Sequence, residues 1–284
     1  MAPEQSRVGV VIVTHNSQPF ISTNVACLMG QIRPPDAVII VDSLSTDPEY
    51  LNHLRDRYGR ITLILESANI GFCRANNIGV QRLIDSYDYI LFLNPDAFLQ
   101  SSDFIDKALR YMEQPQNSRV GALTGKLVGF DISAGKPTGL IDSTGIFRTW
   151  YGRWYDRGQG QRLSSAFDEG PTEVPAICGA LMFCRSKALR EILLGEGEIF
   201  DENFFMYKED IDLSLRLRGA GWTIIYSSSL VACHCRGWSR DRARMSNEAR
   251  LRSARNDLRL CVRTRSPYVL YALAKYAFVR WFER

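Results

Sequence analysis

Val8-Gly-Val-Val-Ile-Val13 is a continuous apolar run rich in β-branched residues, and a strand of that composition is buried on both faces, as in a mostly parallel sheet. Runs at 37–41, 61–65, 89–93 and 222–226 have the same character, and helix-compatible stretches at 19–31, 49–57, 71–86 and 101–113 separate the early ones. This alternation predicts βαβ units and an α/β fold whose ligands lie beyond the carboxyl ends of the strands. The polar residues that immediately follow each strand are therefore the candidates for chemistry. From Gly129 to Gly179 the periodicity fades into Gly, Pro, Ser, Thr and aromatics. That stretch reads as a loop-rich insertion, and the rings of Thr149-Trp-Tyr-Gly-Arg-Trp-Tyr155 form either a binding wall or ordinary packing.

Thr14-His15-Asn16 follows the first strand and Asp42-Ser-Leu-Ser-Thr-Asp47 the second. A strand-end carboxylate such as Asp42 can accept a hydrogen bond from a pyrimidine N3–H while groups around Thr14 line the base; taken alone, Asp42 reads more simply as a turn or helix cap. Asn69-Ile-Gly-Phe-Cys-Arg-Ala-Asn-Asn-Ile-Gly79 is a glycine-flanked loop entering a helix. Arg74 could give it charge-assisted bonds to a diphosphate, and Asn76 and Asn77 amides for ribose or phosphate, although a plain loop-to-helix junction has the same pattern. Asn94-Pro95-Asp96 sets a carboxylate at the exit of the 89–93 strand, where oxygen ligands suit Mg²⁺ or Mn²⁺ bridging two phosphates; the rival reading is a strand terminator.

Phe200-Asp-Glu-Asn-Phe-Phe-Met-Tyr-Lys-Glu-Asp-Ile-Asp-Leu213 masses acids before a segment ending at Gly219. Alternating Ile211, Leu213, Leu215 and Leu217 suggest a strand, but acids at the start, Leu and Arg through the middle and Gly at the end predict a helix. Glu209 and Asp210 then stand at its N-terminus, either as a general base and its neighbour or as dipole partners. His234, after the apolar residues 230–232, is structural in the simplest reading.

In this order, Thr14-His15-Asn16, Asp42 in Val-Asp-x-x-Ser-Thr-Asp, Asn69-x-Gly-Phe, Asn94-Pro-Asp96, the 200–213 block and His234 resemble family 2 glycosyltransferases of the GT-A fold, most of all bacterial rhamnosyltransferases. Ile141-Asp-Ser-Thr-Gly145 and Asp156-Arg-Gly158 add to the likeness, which covers roughly residues 7–240. It implies a GT-A domain over 6–235, with a nucleotide-binding part to 125 and an acceptor-side part from 126, and a basic, aromatic helical tail over 236–284. It further implies an inverting transfer of rhamnose or a related hexose from a dTDP- or UDP-linked donor to a glycan or lipid-linked acceptor in surface polysaccharide synthesis. By that likeness Thr14, His15, Asn16, Asp42, Asn69, Arg74, Asn77 and Asn94 bind nucleotide, Asp96 and His234 hold a divalent metal, and Asp210 with Glu209 supplies the base. Asn94 departs from the usual Asp-x-Asp of the family and implies weaker metal affinity. A nucleotidyltransferase is the rival enzyme, but it typically carries a glycine-rich signature after the first strand, and none follows Val13; a carbohydrate-binding or scaffold protein on the same fold is the non-catalytic rival.

Charge is unevenly placed. Residues 236–265 hold ten Arg against Asp241, Glu248 and Asp257, a net of +7, and 266–284 add +2, so a chain of net charge +4 carries −5 over its first 235 residues. Such segregation points to an anionic partner for the C-terminal segment, not to a nucleic-acid-binding protein, with a solvated basic helix as the plainer reading. The seven cysteines contain no C-x-x-C pair and the chain shows no basic-then-apolar leader, so a reduced, cytoplasmic protein is expected, with peripheral contact at the inner membrane face and a homo-oligomer both admitted. Residues 268–282, broken by Lys275 and Arg280, resemble an interfacial helix more than a spanning one, or a helix packed on its own domain.

Overall fold

The computed structural model describes residues 5–235 and 246–282. β1 (Val8–Thr14) pairs in parallel with β2 (Ala37–Ser43), Val10 opposite Val38 and Thr14 opposite Asp42, and β3 (Ile61–Glu66) continues beyond β2. β4 (Tyr89–Leu93) lies parallel on the other side of β1. Helices α1 (Gln18–Met29), α2 (Glu49–Arg57) and α3 (Gly71–Gln81) make the crossovers. Because the chain builds outward from β1 in both directions, a crevice opens between the ends of β1 and β4, the position where open α/β sheets bind ligands.

The second half extends the sheet with mixed directions. After β5 (Ala97–Leu99) and α4 (Phe104–Met112) come β6 (Val120–Asp131), β7 (Lys136–Ser143), the small β8 (Ile146–Arg148) and β9 (Trp154–Asp156) pair, and β10 (Thr172–Glu173). β11 (Leu181–Arg185), α5 (Ser186–Arg190), α6 (Glu209–Gly219) and β12 (Thr223–His234) complete it, followed by α7 (Asn247–Arg263) and α8 (Val269–Phe282). The main sheet runs β10-β12-β6-β11-β4-β1-β2-β3, with β11 antiparallel to both β4 and β6. The stretch from 129 to 179, aperiodic in sequence, thus holds strands after all; they are short or, like β7, exposed over half their length, so they carry no buried apolar run.

The main core packs against this sheet, and a smaller cluster of Phe98, Val128, Cys233 and Cys235 lies apart from it. α3 sits so close to β1 that a Cβ on Gly79 would come within 2.5 Å of Val11. The helix buries Cys73, Asn76, Asn77 and Val80, an i, i+3, i+4, i+7 face. Asn77, expected to meet the nucleotide, is on that buried face: its Oδ1 accepts from the backbone N–H groups of Ile199 and Phe200 at 3.1 and 2.9 Å, and its Nδ2 donates to the Phe200 carbonyl at 2.8 Å. Its amide splices α3 to the segment before α6. Asn77→Ala leaves those buried groups without partners and should lower stability by about 2 kcal/mol or more. A denaturant midpoint unchanged by the substitution would refute this.

Candidate active site

The crevice is a cavity of about 520 Å³ whose floor comes from Val13, His15, Ser17, Ser43, Asn69 and the 94–96 turn. The loops after β1 and β2 are locked together. Asn16, at φ 52°, donates its backbone N–H to Ser45 Oγ at 2.7 Å and accepts from the Thr46 N–H at its Oδ1, 2.8 Å away. His15 Nδ1 meets the Ser43 carbonyl at 2.8 Å. Thr14 faces away from the cavity and donates to Asp42 Oδ1 at 2.7 Å. Asp42 itself is buried, and its two oxygens also accept from Ser45 Oγ and the Ser45 N–H at 2.6 and 2.8 Å. The expected base-reading carboxylate therefore braces the two loops from behind, and Ser43, the next residue along β2, takes the place on the cavity floor. Asn69 stays on that floor, its Oδ1 accepting from Ser43 Oγ and the Gly71 N–H at 3.2 Å each.

Asn94 and Asp96 line the cavity at the end of β4. β12 runs antiparallel to β5 with His234 opposite Ala97, which sets His234 Nε2 3.3 Å from Asp96 Oδ1. On its other side, His234 Nδ1 is 2.6 Å from Oδ2 of Asp142, a fully buried residue of β7 that the sequence motif contained without a role. Burial works against charge on His234, but Asp96 and the Asp142 hydrogen bond outweigh it and raise its pKa to about 9. Asp96 and His234 are the groups fit to hold a hard cation here. Among the described residues no cluster of three or more His, Cys, Asp and Glu makes a closed metal cage, so bound phosphate oxygens and water would have to complete the shell, the usual manner for Mg²⁺.

The opposite wall is the segment before α6. Phe205, Tyr207 and Lys208 all have positive φ, at 62°, 72° and 73°. Asn256 of α7, fully buried, holds this turn: its Nδ2 donates to the carbonyls of Phe204, Met206 and Tyr207 at 2.9 Å each. Phe205 lies on Gly71, whose φ of +78° and whose missing Cβ, which would sit 2.5 Å from the ring, make glycine obligatory there. Arg252 of α7 stacks over the Phe205 ring at 4.3 Å and lines the cavity. Arg74, the cation expected near a diphosphate, points outward from α3 beside Glu202, 4.0 Å away, and is not in the lining.

The turn feeds directly into α6, so Glu209 and Asp210 stand two and three residues past Tyr207, itself a lining residue. Asp210 Oδ2 accepts from the Gly179 N–H at 3.0 Å and Oδ1 from the Ile211 N–H at 2.8 Å. Glu209 is buried, and its Oε2 has no hydrogen-bond partner. Burial raises both pKa values, that of Glu209 further because the Asp210 charge adds to it. Asn256, Arg252, Asp142 and Gly179 were not singled out from sequence as site residues; only Asp142 carried a signal, its place in the 141–145 motif. Asn256→Ala removes the donor for three carbonyls of a strained turn, so a loss of about 3 kcal/mol in stability is expected. Amide exchange should rise at 205–208 above the rest of the chain, and uniform exchange across the turn would contradict the clamp.

The sequence matches the Glycosyl transferase family 2 model over residues 9–193, a span that takes in the cavity floor but ends before Asp210 and His234. An N-acetylglucosaminyl-diphospho-decaprenol L-rhamnosyltransferase of Mycobacterium tuberculosis is 26% identical over 247 residues, 82% of this chain and 77% of the relative. Rhamnosyltransferase WbbL of Escherichia coli is 27% identical over 241 residues, 80% and 83% of the two chains. Among solved structures, a mannosyltransferase from Pyrobaculum calidifontis in complex with GDP-Man and Mn²⁺ superposes with a TM-score of 0.62 at 18% identity, covering 99% of this chain and 71% of that one. TarS 1-349 of S. aureus in complex with UDP-GlcNAc gives 0.57 at 16% identity, covering 97% and 72%. The structural likenesses establish the GT-A arrangement of the sheet, and the family match spans well over half of the sequence: the chain belongs to glycosyl transferase family 2.

Proposed function

We propose that this protein transfers a sugar, rhamnose or a related hexose, from a dTDP- or UDP-linked donor to a hydroxyl of a lipid-linked or polysaccharide acceptor, with inversion at the anomeric carbon. One observation carries the reading: the cavity at the β1/β4 switch point is lined on one side by Asp96, which lies 3.3 Å from His234, and on the other by Tyr207, two residues before Glu209 and the start of α6. The nucleotide lies over His15, Ser43 and Asn69, with Asp42 holding that floor from behind, and its diphosphate reaches Asn94 and Asp96. The names of the rhamnosyltransferase relatives support the sugar and the lipid-linked acceptor.

In such a displacement negative charge grows on the leaving diphosphate while the attacking hydroxyl loses a proton. Asp96 and His234 would hold a divalent ion, Mg²⁺ or Mn²⁺, which when bound supplies Lewis-acid stabilisation to the diphosphate oxygens. Arg252, fixed on Phe205, adds a cationic donor from the other wall. Asp210 takes the proton. Its two backbone N–H bonds favour the carboxylate, whereas the more deeply buried Glu209 retains a proton and so spares the pair a second buried charge. The raised pKa of Asp210 brings it closer to the pH at which a base works best.

Turnover with a panel of dTDP-, UDP- and GDP-linked sugars tests the donor, and the anomeric configuration of the product, read by NMR, tests inversion. Asp210→Asn keeps the size of the side chain and removes its basicity. The variant should bind nucleoside diphosphate near normally yet transfer roughly two to four orders of magnitude more slowly, with Glu209→Gln milder. Loss of nucleotide binding by Asp210→Asn, with transfer abolished only by Glu209→Gln, would exchange the two roles. Chelation of divalent ions should suppress transfer, and Asp96→Ala should reproduce that loss; full activity in chelator would remove the metal from the scheme and leave the diphosphate to cationic side chains.

A further inference from the structure

α8 turns its large apolar side chains outward. Leu270 is 75% exposed and Phe282 77%, and Leu273, Phe278 and Trp281 between them are also exposed. Positions 270, 273, 274, 277, 278, 281 and 282 repeat at i, i+3, i+4, i+7 and i+8, one continuous stripe along the helix, with the Phe278 and Phe282 rings stacked at 5.4 Å. The helix is nevertheless fixed in place. Ala272 is buried, and Lys275 pairs with Asp257 of α7, so the apolar stripe cannot rotate inward without breaking those contacts. The 149–152 loop is attached to the same surface. Tyr151 meets Tyr271 edge-on at 5.6 Å, Trp150 meets Tyr151 edge-on at 5.4 Å and is itself 86% exposed, and Gly152 lies against Tyr268.

This stripe of Leu, Phe and Trp, joined to a projecting Trp, takes no part in lining the cavity, whose α7 contributions come from Glu248, Ala249 and Arg252. No helix of the described residues is long and apolar enough to cross a membrane, so the stripe does not mark a span. Charge decides between the remaining occupants. The chain concentrates its positive charge in residues 236–284 and is net negative before them. A second copy docked through α8 would bring two such basic segments together, which like-charge repulsion opposes; an anionic surface is attracted by them. Aromatic residues beside basic ones are also the composition that lodges at the boundary of headgroups and acyl chains.

We propose that the α8 stripe together with Trp150 is a membrane-docking surface that lies in the interface of an anionic lipid bilayer, with α8 parallel to it. This goes beyond the transfer reaction and does not depend on it. The test is cosedimentation of the full chain with phosphatidylcholine vesicles, with and without phosphatidylglycerol, at low and high salt. Wild type should bind the phosphatidylglycerol vesicles at low salt, and Phe278→Glu/Trp281→Glu should bind them at least tenfold more weakly, because two buried rings are lost and two repelled charges gained. Leu270→Glu/Leu273→Glu, two turns away, provides an independent pair, and unchanged melting temperatures show that the variants fold. Absence of wild-type binding at low salt overturns the proposal, as does undiminished binding by both pairs. Equal binding to neutral and anionic vesicles overturns the anionic assignment. Concentration-dependent dimers by analytical ultracentrifugation, abolished by the same substitutions in a protein that ignores vesicles, would make the stripe an interface between copies instead.

Discussion

Three residues of one short turn, Phe205, Tyr207 and Lys208, are held in a backbone region that side chains disfavour by about 1–2 kcal/mol each. Nothing local to the turn makes that conformation favourable, so it persists only because its surroundings over-determine it. Asn256 gathers three of its carbonyls, Gly71 gives Phe205 room, and Cys73 donates its N–H to the Phe205 carbonyl at 3.1 Å. The turn is shared by both halves of the site. It forms the wall opposite the strand ends and fixes where α6 begins, hence where Asp210 stands. A relaxation there would move cavity and carboxylate together, which is why α7, distant in sequence, belongs to the site rather than to its periphery.

Two groups of acids, one beside Asp96 in the cavity lining and one at the start of α6, are stabilised in different ways. Asp96 and Asp142 enclose His234 and raise its pKa, so proton and imidazole compensate two carboxylates. At Glu209 and Asp210 burial raises both pKa values, the Lys208 charge opposes the rise, and the N–H groups of Gly179 and Ile211 favour the Asp210 carboxylate. Under the proposed function this difference has a use. The first group offers a place for positive charge opposite a leaving diphosphate, and the second offers a carboxylate that gains by accepting a proton from the acceptor.

The sheet was legible where burial is two-sided, because a strand covered on both faces must be apolar throughout, as β1, β2 and β4 are. It was illegible at β7 to β9, whose pairing is set by partners and not by their own residues. At the strand ends the polar segments could be read from sequence, but their faces could not. Successive side chains alternate, so whether Asp42 or Ser43 meets the crevice depends on which face α3 covers, a tertiary fact. Helical phase was just as hard to read at Arg74 and Asn77: Cys73, Asn76, Asn77 and Val80 are buried, and Arg74 is left on the outer side. Asn256 left no trace at all, since one Asn in an Arg-rich helix has no period, and its partners lie about fifty residues away.

The basic C-terminal segment appeared in sequence as an appendage, and its packing gives it two distinct faces. Inward, α7 clamps the strained turn through Asn256, pairs Arg263 with Asp201 at 2.6 Å and places Arg252 in the cavity. Outward, α8 carries the apolar stripe and is tied to α7 through the single carboxylate of Asp257, which also lies 3.6 Å from Lys208 of the turn. Asp257 thus joins both faces, one ammonium from the strained turn and one from the exposed helix meeting on the same side chain. Lys208 stands two residues before Asp210 in the chain. Two ion pairs on one carboxylate therefore join the exposed helix to the strained turn, and that turn runs straight into the start of α6, where Glu209 and Asp210 stand.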